Sequence, residues 1–80
     1  MNNVSNYSRE KLASLAHEQW SGWMEYLFSK TISSSDGSAI IPQEYYERWK
    51  RQMITPYSSL PDNEKESDRL EADRVIELLT

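Results

Sequence analysis

Eighty residues with a net charge of −4, no cysteine and a single histidine, His17, bound what this chain can do. They exclude a disulfide framework, a thiolate zinc site, any site needing two histidines, and a counterion-displacing grip on a nucleic-acid backbone. Such a length supports one small domain burying only about 60% of its unfolded surface, so large rings are its expected stabilisers. The opening "MNNVSNYSRE" has neither a basic start nor an apolar run, and no stretch approaches the ~20 apolar residues that span a bilayer. The expectation is a soluble cytoplasmic protein with no membrane partner.

Residues 1–7 are polar and read as a flexible N-terminus, leaving residues 8–80 as the domain. Ser8 is placed to cap a helix that begins near Arg9. From there Leu12, Ala13, Ala16, Trp20, Trp23, Met24 and Leu27 recur at spacings of three and four, which is helical periodicity. Leu15 and Tyr26 widen one flank of this stripe, and His17 and Phe28 widen the other. The helix should run to about Lys30, with Gly22 costing roughly 1 kcal/mol against alanine unless a neighbour packs closely on it.

Residues 31–41, "TISSSDGSAII", change character. Asp36-Gly37 is a tight-turn pair flanked by β-branched residues, so the segment is either a short β-hairpin or an ordered loop. A lone hairpin is marginal in water, and Ile32, Ile40 and Ile41 would then have to dock on the helices.

Pro42 suits the first turn of a second helix, with Tyr45, Tyr46, Trp49 and Met53 facing inward. Pro56 ends it, because the residue before a proline avoids helical angles. Ser59 offers a cap for a third helix, with Pro61 in its first turn and an Ala72, Val75, Ile76 and Leu79 stripe. Leu70 falls on the opposite side of that stripe. The predicted fold is mainly α: three helices in a single domain around a Trp-rich core, with the hairpin or loop between the first two.

The third helix starts in charge. Residues 61–74 carry six acids (Asp62, Glu64, Glu66, Asp68, Glu71, Asp73) against three bases (Lys65, Arg69, Arg74). "ERWKRQ", residues 47–52, is locally basic, so the two segments are expected to neutralise each other. Extending the apolar stripe backwards reaches Asp68, Lys65 and Glu64. An inward carboxylate is costly unless it is paired or hydrogen-bonded. Asp68 therefore either accepts hydrogen bonds and pins Tyr57, or sits on the rim of a small aromatic-lined pocket. His17, at the border of the first helix's apolar face, is either a packed structural residue or a polar contact of that pocket.

"HEQW" on the first helix, a Trp on the second, and "TPYSSLPDNEKESDR" leading into an apolar helix together resemble the RyR domain. That is the small module repeated in ryanodine receptors and found also in bacterial and phage proteins. The matching residues are His17 and Trp20, then Pro56 and Tyr57, Leu60, and Glu64, Lys65, Asp68 and Arg69, within a likeness over residues 9–79. The chain has Ser67 where the family often carries an aromatic. Its "DGSAIIPQEYYERWKRQM" segment is more similar to small stand-alone phage proteins than to the receptor repeats. The resemblance implies a mostly helical fold with a small β element, no known enzymatic activity and a generally unassigned function; no cofactor is expected. It also implies nucleotide-type ligands, because paired receptor repeats are implicated in binding adenine nucleotide.

Three functions are consistent with these residues. The leading expectation is a non-catalytic recognition module that binds a small nucleotide-type ligand. Trp20, Trp23, Trp49 and Tyr57 would stack on it, with His17, Lys65, Asp68 and Arg69 as polar contacts. The alternative is a protein–protein interaction or accessory module, as a monomer or a weak homo-oligomer. The remote alternative is a Mg²⁺-dependent nucleotide hydrolase. Its acid pairs, Glu44 with Glu47 and Asp68 with Glu71, are three apart, whereas a shared metal favours four.

Overall fold

The computed structural model describes residues 6–80. Three helices dominate: α1 over Asn6–Ser29, α2 over Gln43–Ile54 and α3 over Asp62–Leu79. A hairpin of β1 (Ile32–Ser33) and β2 (Ala39–Ile40) joins α1 to α2, and one 3₁₀ turn, Tyr57–Ser59, joins α2 to α3. The mainly helical three-helix architecture with a small hairpin is therefore the one expected. Residues 1–5 of the expected flexible N-terminus lie outside the described residues, while Asn6 and Tyr7 are helical. Ser8 is thus a residue of α1 and not its cap, because the helix extends two residues beyond it.

The turns follow local chemistry. In the hairpin, Ile32 pairs with Ile40 and Ser33 with Ala39, antiparallel. The Gly37 N–H donates to the Ser34 carbonyl at 3.1 Å, and Gly37 itself takes φ 89°, the left-handed region that favours glycine. Asp36 Oδ1 accepts from the Ser38 N–H at 2.9 Å, which fixes the far side of the turn. Ile32, Ile40 and Ile41 are exposed, so the expected docking on the helices does not occur. Only two residues per strand pair, and the hairpin is held by its turn.

At Thr55 the backbone is extended, φ −94° and ψ 124°, as expected before Pro56. Pro61, not Ser59, precedes the first turn of α3; no side chain caps that end, and Asp62 and Glu64 complement the helix dipole there.

α1 packs antiparallel along α3. The Gln19 amide donates to the Glu71 carbonyl at 3.2 Å, and Arg74 bridges to Glu18 at 2.9 Å. On α1 the covered residues include Leu12, Met24 and Leu27 of the expected stripe, with Leu15 from its flank and Gln19, while Ala13, Ala16, Trp20 and Trp23 of that stripe are exposed. On α3 the half-covered residues are Glu64, Lys65, Ser67, Glu71, Val75 and Leu78, while Asp68, Ala72, Ile76 and Leu79 are exposed. Leu15, at 9% exposure, is the one buried side chain among the described residues. The expected Trp-rich core is absent: Trp20 is 58% and Trp23 45% exposed, and Trp49 is half-buried. The physical reason is the position of α2, which touches its neighbours through long side chains and does not close over α1 and α3.

The result is flat and open. Its extents are 51 × 33 × 17 Å and its radius of gyration is 16.4 Å, against about 12 Å for a compact chain of this length.

Candidate groove between the three helices

Where α2 stands away from the other helices, a groove of about 850 Å³ opens between all three. Its apolar lining comes from Trp23, Tyr26 and Leu27 of α1, Trp49 and Met53 of α2, and Leu70 of α3. Gly22 lies in the wall, and a Cβ added there would meet nothing within 4 Å.

Two joints hold α2 beside this groove. The first is aromatic and cationic. Tyr26 meets Trp49 edge-on at 6.1 Å, Trp49 also packs on Tyr45 at 5.5 Å, and Lys30 lies over both tyrosines at 5.5 and 5.7 Å. The Arg48 guanidinium donates to the Tyr26 hydroxyl at 2.7 Å. The second joint is the expected pairing of the basic and acidic segments: Arg51 bridges to Glu64 at 2.6 Å. That hydrogen bond holds the Glu64 carboxyl below its usual range and raises the Arg51 guanidinium.

The groove's ionisable lining is unbalanced. Glu18, Glu64, Asp68 and Glu71 face it against Arg48 and Arg74, and Arg51 offsets Glu64 from just outside the lining, so one carboxylate is in excess. Arg74 is already engaged by Glu18 and by Glu71 at 3.2 Å. Asp68 is exposed on the rim, with no ion pair among the described residues. The site is therefore apolar, aromatic and net acidic.

The seven residues singled out in the sequence fall into three places. Trp49 and Asp68 line the groove. His17 and Trp20 stack on each other at 5.9 Å on an exposed part of α1, where Ser21 Oγ lies 3.5 Å from His17 Nε2. Tyr57, Lys65 and Arg69 cluster at the 3₁₀ turn. There Lys65 lies over the Tyr57 ring at 5.6 Å, and a hydrogen bond with Tyr57 raises the Arg69 guanidinium. Arg69 also reaches Asp62 at 3.5 Å and Glu66 at 3.4 Å. The structure thus brings Tyr57, Lys65 and Arg69 together but does not bring His17, Tyr57 and Asp68 to one cavity. Among the described residues, no three His, Asp or Glu side chains gather closely enough to hold a metal ion, and no helix is long and apolar enough to cross a membrane.

Sequence reasoning did not place Gly22, Glu18, Arg48 or Arg74 at a site. For Glu18 and Arg74 no local signal exists, since they meet across fifty-six positions of chain. Leu70 did carry one, a leucine standing off its helix's stripe. Compared with protein families, curated proteins and solved structures, the chain matches none, so the likeness to the RyR domain stands on the quoted residues alone.

Proposed function

We propose that this chain is a non-catalytic recognition module that binds a protein partner through the groove between its helices. One observation carries the reading: the large apolar side chains around the groove remain open to water, Met53 at 77% exposure, when a chain of this size has every reason to bury them. Amphipathic helices dock in such grooves by their apolar anchors, and an acidic rim selects an occupant with basic residues beside those anchors.

A nucleotide-type ligand is the second reading. The groove's volume lies within the roughly 300–1,000 Å³ of small-molecule sites, and the half-buried Trp49 offers a ring for stacking. Its guanidiniums Arg48 and Arg74 are already engaged, however, by Tyr26 and by Glu18 and Glu71. Asp68, without an ion pair among the described residues, opposes a phosphate, and Lys65 and Arg69 are engaged at Tyr57 outside it.

Tryptophan emission tests both. Titration of dilute, nanomolar protein with an amphipathic Leu/Lys helical peptide is expected to shift the emission to the blue at micromolar peptide, and Trp49→Phe should remove most of the shift. Millimolar ATP should leave the emission unchanged. A response to ATP with none to the peptide would reverse the order of the two readings.

A further inference from the structure

We propose that the partner is a second copy of this chain. Each copy lays the outer face of α2, formed by Tyr46, Lys50 and Ile54, into the other's groove, giving a two-fold symmetric dimer. This rests on the reading of the groove as a protein-recognition surface and names what fills it.

Surface area is the first argument. The chain exposes 6512 Å², whereas a compact folded chain of 9.4 kDa exposes about 5,000 Å². The excess, roughly 1,500 Å² per chain, is about twice what each partner buries in a standard interface and falls in the range of obligate homodimers. A second copy would restore the burial that the single chain lacks. Two-fold pairing also uses groove and α2 face once on each copy, so the contact closes without leaving an open end.

Complementarity is the second argument. Tyr46, Lys50 and Ile54 follow one another at spacings of four, so they form a single face of α2 that points away from its own groove, with Ile54 at 76% exposure. Lys50 lies over the Tyr46 ring at 5.0 Å, which places its ammonium within that apolar face. An apolar face with a central cation matches an apolar groove whose rim carries one carboxylate, Asp68, without an ion pair among the described residues.

Gly22 is the third. A glycine inside a helix costs about 1 kcal/mol relative to alanine, and no atom of this chain approaches it closely enough to require one. An incoming helix that packs its backbone against that wall gives the missing side chain a reason.

Sedimentation equilibrium over a micromolar-to-millimolar range decides the matter. The wild-type chain is expected at twice the 9.4 kDa of one copy. Ile54→Glu removes an anchor that the single chain leaves exposed, and Gly22→Leu fills the wall at a position where its own chain has room. Each should raise the dimer dissociation constant about thirtyfold or more while the helical circular dichroism is kept. Lys50→Glu should weaken the dimer about tenfold, less so at high salt. A strict monomer at millimolar concentration overturns the proposal, and the peptide titration then decides separately whether the groove recognises some other protein. A dimer unaffected by Ile54→Glu and Gly22→Leu overturns it as well, since pairing would then use another surface.

Discussion

Leu15 is where this fold is most exposed to a single change. It is the one buried side chain among the described residues, and it sits where α1 and α3 pack. Leu15→Ala leaves helix propensity almost unchanged, so the cost is lost apolar transfer plus the cavity left behind. Such replacements cost about 2–5 kcal/mol, and the open surroundings let the seam partly collapse, which sets the expectation near the lower end, about 2–3 kcal/mol. An eighty-residue domain has roughly 4–12 kcal/mol of stability in all, so the loss is a large share of it. With about 4–8 °C per kcal/mol at this size, thermal unfolding at fixed protein concentration should move down by about 10–20 °C. Phe28→Ala is the control: it removes a larger side chain that is 63% exposed and should cost under about 1 kcal/mol. Urea melts followed by circular dichroism measure both. If Phe28→Ala costs more than Leu15→Ala, the seam of α1 and α3 is not what holds the fold.

Gly37→Ala forces a side chain into left-handed backbone and should destabilise the hairpin by about 1–2 kcal/mol, with Gly37→Asn milder; cross-strand Ile32–Ile40 NOEs report the loss. The Arg51–Glu64 tie gives a pH dependence. Arg51 depresses the Glu64 pKa in the folded state, so the tie contributes fully above the ordinary carboxylate value and is lost as pH falls through the lower folded one. The Arg51 guanidinium resonances should therefore change only in acid below the usual glutamate range, and Glu64→Gln should abolish that step; an Arg51 transition at or above the ordinary value would contradict the pairing. Tyr57→Ala removes the ring under Lys65 and the partner of Arg69, and is expected to loosen the start of α3 in hydrogen exchange, whereas Tyr57→Phe keeps the ring contact and should do less.

The three helices, their breaks and the hairpin turn were legible in the sequence because each depends on local rules. Spacings of three and four mark the helices, Pro56 stops α2, and Asp36-Gly37 supplies a turn with one left-handed residue. The pairing of the basic segment of α2 with the acidic start of α3 followed from charge alone and is met by Arg51 and Glu64. Which face of each helix is covered did not follow. α1 carries rings and leucines around much of its circumference, so several stripes fit the pattern nearly equally. The choice among them was made by contacts distant in sequence, Gln19 with Glu71 and Glu18 with Arg74, which set the rotation of α1 against α3 and left Trp20 and Trp23 outside.

Of the candidate site, Trp49 and Asp68 lie in the groove. "TPYSSLPDNEKESDR" is the segment whose local chemistry the sequence determined most fully: a helix stop, a tyrosine-bearing turn and a restart with Asp62 and Glu64 in the first turn of α3. Only the tertiary structure decided what those charges do. Glu64 reaches back to α2, Lys65 and Arg69 close on Tyr57, and Asp68 is left on the rim. Local backbone chemistry is fixed by neighbours in sequence, whereas the partner of an ionised side chain depends on which helix stands across from it.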